Sequence, residues 1–384
     1  MILYFNHQYL DHPEIQPLLQ NIGGNVFDKL LNFRTQDPAI ASLYTRKGIN
    51  FLPTEYNLND LPGFPMPDYD PKYNKSWPDI CDQRCRDLRA THFDRPWMVM
   101  WSGGIDSTGI LSSIIKNLPQ SDFENITVAC SASSFWENPR FYRSYIQPNF
   151  KTVPSEWALS QDALERINYI IDGEPADQLF GGLGVAPELV FQQPELLKKN
   201  IIIYPETVIN WIARKTEKKF AEWFYTAIVN NAASVGIPMI SLHDWIWWAA
   251  FNHAWTAIKF RLLLAGHWKN IKNTKFYFDR IVHWYDSMDY QSWAMSNQST
   301  GEKIYQSVSD YKLAAKKYIY ELNQDIYYFK FKTKTSSTDL WNRGQKRAPW
   351  CCIDQSGNLL NLHEHRDSIM KMLPYHFSQK REFL

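Results

Sequence analysis

The residues best suited to chemistry form one unbroken string, Ser102-Gly103-Gly104-Ile105-Asp106-Ser107-Thr108. Two adjacent glycines let the backbone approach a ligand closely. Peptide N–H groups at a helix start, joined by the hydroxyls of Ser102, Ser107 and Thr108, then make a cradle for an anion. Phosphate suits such a cradle. Asp106 is the odd member, because a carboxylate repels phosphate unless a cation lies between them, and Mg²⁺ supplies that bridge. The string lacks the Lys of a Walker loop and the spacing of a Gly-x-Gly-x-x-Gly fingerprint. Ser and Asp also favour helix N-caps through local hydrogen bonds. What selects the phosphate reading is the setting, with a strand before the string and a helix after it.

The elements that must hold this string are legible on both sides. Trp97 to Trp101 is a continuous apolar run after Pro96, which reads as a buried parallel strand. Ser107 to Leu118 places Ile110, Leu111, Ile114, Ile115 and Leu118 at helical spacing, and Pro119 stops it. Ile126 to Ala132 and Ile167 to Ile171 read as further strands, and Asn138 to Gln147 as a second helix. Such alternation predicts an α/β fold: a parallel sheet flanked by helices, with its ligand site at the carboxyl ends of the strands. Residues 1–92 are broken by Pro53, Pro62, Pro65, Pro67, Pro71 and Pro78 and read as a loop-rich cap. Residues 93–204 form the α/β core. The remainder, 205–384, reads as mainly helical, with helices over Thr207 to Val235, Leu242 to Ala265 and Ser307 to Leu322.

At the glycine string the sequence resembles the pyrophosphate loop of the ATP pyrophosphatase superfamily, whose fold is adenine nucleotide alpha-hydrolase-like. A second string, Asp172-Gly173-Glu174-Pro175-Ala176-Asp177-Gln178-Leu179-Phe180-Gly181-Gly182, is similar to a signature of asparagine synthetases, β-lactam synthetases and lasso-peptide cyclases. Pro175 stands where that signature has a glycine, and Gln178 where it has a Glu. The resemblance implies ATP and Mg²⁺ as cofactors. Ser102, Gly103, Gly104, Asp106, Ser107, Thr108 and Gly173 would line the pyrophosphate site, Asp106 and Asp177 would ligate the metal, and Glu174 would handle the attacking nucleophile. Asp310-Tyr311-Lys312 and the lysines up to Lys334 resemble the late segments of asparagine synthetases, which implies that Lys332 or Lys334 stabilises charge on the phosphates.

Composition narrows the class. With 41 Lys plus Arg against 40 Asp plus Glu, the net charge of +1 argues against nucleic acid as a partner. Apolar residues at 45% and charged residues at 21% are those of a folded chain. The 59 aromatic residues read as buried packing, including Trp245, Trp247, Trp248 and Trp255, and no run is apolar enough to cross a membrane. Met1 to Leu10 has no basic leader or apolar core, so a cytoplasmic location is expected. Five cysteines form an odd number, and neither Cys81 with Cys85 nor Cys351 and Cys352 with His363 and His365 has the spacing of a zinc site.

The reading is an AMP-forming ligase of asparagine synthetase type. It would activate a small-molecule or peptide-like carboxylate as its acyl-adenylate for attack by ammonia or an amine. About ninety residues before the loop strand leave no room for a glutaminase domain, so a separate ammonia-supplying subunit is a possible partner. Two alternatives stand beside it: a nucleobase or tRNA-modifying enzyme of the same superfamily, with Cys81, Cys85 or Cys130 carrying sulfur, and a non-catalytic nucleotide-binding assembly protein.

Overall fold

The computed structural model describes residues 66–155, 169–181, 195, 198, 200–213, 218–255, 280–296, 310–332, 351–353 and 359–361. Most of the expected cap, together with Lys334, His363 and His365, lies outside the described residues. Five strands form one parallel sheet: β1 (Trp97–Trp101), β2 (Ile126–Cys130), β3 (Lys151–Pro154), β4 (Tyr169–Asp172) and β5 (Ile281–His283), in the order β3-β2-β1-β4-β5. A separate antiparallel pair joins β6 (Cys351–Ile353) to β7 (Leu359–Asn361). The helices are α1 (Trp77–His92), α2 (Ile105–Asn117), α3 (Ala132–Glu137), α4 (Ala176–Phe180), α5 (Glu206–Ala213), α6 (Lys218–Val235), α7 (Leu242–Trp248), α8 (Met288–Ser296), α9 (Leu313–Asn323) and α10 (Ile326–Phe331). None of the described helices is long and apolar enough to cross a membrane.

The chain packs as two compact units. One comprises Cys81–Gly173, Lys269–Trp284 and Ala314–Leu384, and the other Met1–Ile80, Glu174–Trp268 and Tyr285–Leu313. Divisions drawn from composition at residues 92 and 204 are contiguous, whereas these units are interleaved.

The first unit holds the whole parallel sheet. β1 is paired on both sides, with Val99 opposite Val128 of β2 and opposite Ile171 of β4. A central parallel strand is covered on both faces, which explains why its sequence is an unbroken apolar run and not an alternation. Trp97, Met98 and Val99 are fully buried, as are Ile110, Leu111 and Ile114 of α2. From β1 the chain passes through α2 to β2, while β4 joins the other side of β1. The strand order therefore reverses between β1 and β4, and the carboxyl ends of these two strands are where such sheets take ligands.

The expected α/β sheet is present, with differences at its margins. β3 and β5 were not expected. Among the described residues they are edge strands of four and three residues, too short to show a period, and Pro154 is tolerated there because no further described strand needs its amide. The helix expected over Asn138 to Gln147 is present at 139–146, as a turn of α-helix at Pro139–Phe141 that continues as a π-helix at Tyr142–Ile146. Asn138 Oδ1 caps that turn by accepting from the Phe141 amide at 3.2 Å. Of the helix expected over Ser307 to Leu322, residues 307–309 lie outside the described residues; Leu313 onward is helical, and Lys312 before it has φ +50°, a left-handed conformation no α-helix contains.

In the second unit the aromatic surplus is packing. Trp77 meets Phe180, Tyr290 and Trp293 with ring centroids 4.7, 5.0 and 4.6 Å apart. Trp247 and Trp248 are buried with their indole N–H groups donating to the Leu179 carbonyl and to Asn231 Oδ1.

Because Ile110 of α2 has no exposed surface, Ile110→Ala should lower unfolding free energy by about 2–5 kcal/mol, by lost burial plus a residual cavity. Denaturant titration checks this, and a loss below about 1 kcal/mol would contradict the assigned core.

Candidate functional site

The glycine string leaves the carboxyl end of β1 and enters α2. Its shape is fixed by its own polar atoms. The Ser102 amide donates to Ser107 Oγ at 3.0 Å, the two serine hydroxyls lie 3.1 Å apart, and the Gly104 amide donates to Ser102 Oγ at 3.3 Å. Thr108 is fully buried, and its hydroxyl accepts from Trp101 Nε1 at 3.2 Å. Thr108 and Ser107 therefore brace the turn from behind, while Ser102 is exposed and Gly104 and Asp106 are half-buried. The N-cap of α2 is Gly104, which brings no side-chain hydrogen bond to the first turn. A helix start without a capping side chain is an anion site in the making.

Space excludes a side chain at one glycine and is tight at two more. Gly103 has φ +79°, and a Cβ there would lie 2.5 Å from the Ser134 carbonyl oxygen and 2.8 Å from Glu137 Cβ. A Cβ on Gly104 would come to 3.2 Å from Ser102 Oγ, and one on Gly173, just past β4, to 3.1 Å from Asp106 Cβ. Of the residues expected at the pyrophosphate site, Ser102, Gly103, Gly104, Asp106, Ser107, Thr108 and Gly173 are thus brought together where the strand order reverses.

Lys332 joins them from the far end of the chain. Asp325 Oδ1 caps α10 by accepting from the Tyr327 and Tyr328 amides. Tyr328 and Lys332, one turn apart, then share a face. The Tyr328 hydroxyl donates to the Gly103 carbonyl at 3.2 Å, and Lys332 Nζ donates to Glu137 Oε1. Burial pushes the Tyr328 hydroxyl well above its ordinary pKa, so it stays a donor. Burial also raises the Glu137 carboxyl, against the lowering effect of Lys332, and the charge of Asp106 adds to the rise. Glu137 and Tyr328 were not foreseen from sequence. The cue present was the dipeptide Glu137-Asn138 shortly after a strand end, which by itself is unspecific.

Two expected residues belong to the other compact unit. Glu174 precedes Pro175 through a cis peptide, and Asp177 lies in the first turn of α4. Lys312 Nζ sits 2.7 Å from Asp177 Oδ1, and the Tyr311 hydroxyl donates to the same oxygen at 3.1 Å. Lys312 is buried and holds a left-handed backbone, a strained conformation of the kind that persists where surroundings impose it. Among the described residues no group of three or more His, Cys, Asp or Glu side chains is assembled that could hold a metal. Magnesium does not demand one, since it keeps waters and phosphate oxygens and takes one or two carboxylates. Asp106 beside the oxygen-rich turn fits that donor set.

Cys81, Cys85 and Cys130 are all buried free thiols. Burial pushes the Cys85 thiol up to about 12, far from the thiolate that sulfur transfer requires. No protein-family model, curated protein or solved structure matches the chain.

Gly103→Ala should both strain the turn and drive a methyl group into Ser134 and Glu137. The expected result is a loss of at least about 1–2 kcal/mol of stability, read by thermal melting, with loss of nucleotide or pyrophosphate binding; a variant as stable as wild type would contradict the left-handed turn. A second expectation concerns the thiols. Under native conditions Cys81, Cys85 and Cys130 should resist alkylation until denaturant is added, as peptide mass spectrometry would show.

Proposed function

We propose that the protein is an ATP-dependent, AMP-forming ligase of the asparagine synthetase type, which activates a carboxylate as its acyl-adenylate for attack by a nitrogen nucleophile. The observation that carries this reading is the meeting of Gly103, Gly104, Asp106 and Gly173 at the carboxyl ends of β1 and β4, with the Lys332 side chain tied to Glu137 beside the turn. ATP with Mg²⁺ supplies a good leaving group and screening of the triphosphate charge. The chain's own part is largely electrostatic. Peptide amides at the head of α2 and the Ser102 hydroxyl bind the phosphate tail, and Lys332 offsets charge that develops there. Asp106 is the carboxylate available to the metal. For Asp177 as second ligand, and for Glu174 as the group that takes a proton from the nucleophile, the sequence resemblance alone speaks.

The buried thiols weigh against the sulfur-carrying alternative. One observation favours a nucleotide-binding protein without turnover: the carboxylate of Asp177 already holds an ammonium, that of Lys312. A single assay separates the two. The protein is incubated with ATP, Mg²⁺ and a panel of carboxylates with ammonia or amines. Stoichiometric AMP and pyrophosphate support the ligase, while bound but unconsumed ATP supports the second reading.

Asp106→Asn is expected to lower AMP formation by about a hundredfold or more, since two powers of ten correspond to only about 2.7 kcal/mol of transition-state stabilisation, and to leave the melting temperature nearly unchanged. Turnover close to wild type would remove Asp106 from the reaction. Glu174→Gln should slow amide formation more than adenylation, measured as product amide against pyrophosphate exchange, and equal loss in both steps would refute its role.

A further inference from the structure

Lys332 is a cation with a carboxylate already in hand. Its Nζ donates to Glu137 Oε1, and the two side chains are only 8% and 4% exposed. Two charges withdrawn this far from water are tolerated because they neutralise one another. The root of the lysine is held separately. Its amide donates to the Tyr328 carbonyl at 3.0 Å, and its own carbonyl accepts from the buried Lys316 Nζ at 3.4 Å. Tyr328 is in turn tied to the Gly103 carbonyl. The backbone is thus pinned beside the glycine turn, and rotation of the side chain is the freedom that remains. A cavity of about 460 Å³ borders both members of the pair.

Glu137 also stands at the turn itself. Its Oε1 is 3.6 Å from where a Gly104 Cβ would lie, and its Cβ packs against Gly103. An anion bound at the turn and the Glu137 carboxylate therefore compete for one ammonium. We infer that Glu137 is a positioning residue for Lys332, which parks the ammonium at the glycine turn in the resting protein and yields it to an incoming phosphate-bearing anion. This rests on the nucleotide reading given above, and deepens it by naming the group that binding must displace.

Competition has a direction that a purely structural role lacks. A residue that merely braced the fold would, when neutralised, lower stability and leave affinity unchanged or weaker. A competitor, when neutralised, tightens binding by the factor by which the resting pair outweighs the free ammonium. Simple repulsion between Glu137 and the anion would also tighten binding on neutralisation, but it would do so whether or not Lys332 is present.

Calorimetric titration with pyrophosphate and with Mg²⁺-ATP separates these cases across wild type, Glu137→Gln, Lys332→Met and the double variant. Glu137→Gln is expected to bind pyrophosphate about tenfold tighter. Lys332→Met should bind it more weakly, and adding Glu137→Gln in that background should bring no gain. A gain that persists without Lys332, or affinity in Glu137→Gln equal to or below wild type, overturns the inference. Should removal of the charge unfold the protein, Glu137→Asp decides, since it keeps the charge while retracting it. It is expected to bind severalfold tighter than wild type, and affinity equal to wild type overturns the role. Wild-type protein that binds neither pyrophosphate nor ATP overturns the nucleotide reading and this role together. Wild-type binding without a gain in the variants overturns the role of Glu137 alone.

Discussion

At Gly103 the backbone takes a left-handed turn with a carbonyl oxygen and a methylene so close that no side chain fits, and the site is arranged around that turn. Because the turn is closed from outside by Ser134 and Glu137, it cannot relax outward. Because Trp101 and Thr108 hold its two ends together in the core, it cannot open from within either. The outcome is a short stretch of backbone whose amides are fixed before any ligand arrives, and such preorganisation is what makes dipoles effective against developing charge.

Buried charge is concentrated around this turn and in the other compact unit. Lys316 and Lys332 are buried near the end of α10, and Lys312 is buried against Asp177. Asp172 and His283, at the carboxyl ends of β4 and β5, are joined by a buried hydrogen bond of 2.8 Å. Buried ion pairs are weak contributors to stability, and apolar replacements are often as good or better. On the proposed reading, the Lys332–Glu137 pair beside the glycine turn would serve the binding of a charged ligand more than it reinforces the core. The core has sufficient apolar material of its own in β1, β2 and α2.

How far the site was legible varies residue by residue. Ser102 to Thr108 was identifiable because a strand, two glycines and a helix follow one another directly. Even so, the sequence does not distinguish hydroxyls that face outward from those that serve the scaffold, and Thr108 proved to be turned inward. Lys332 was singled out, together with Lys334, by resemblance to the late segments of asparagine synthetases, yet nothing nearby in sequence named its partner. Glu137 was passed over for the same reason. The edge strands β3 and β5 escaped notice because four and three residues are too few to display a period.

The sequence by itself determined what depends on neighbours along the chain: the apolar run that makes β1 a central strand, the helical spacing of α2, and the glycines that permit the turn between them. Only the tertiary structure decided which distant groups close on that turn. Tyr328 meets Gly103 across 225 positions, and Lys332 meets Glu137 across 195. Those meetings follow from how the capped face of α10 packs, with residues one turn apart pointing the same way. Backbone dihedral preferences act between adjacent residues and leave a local trace. Packing acts through space, and no periodicity in the chain records which remote side chain it will deliver.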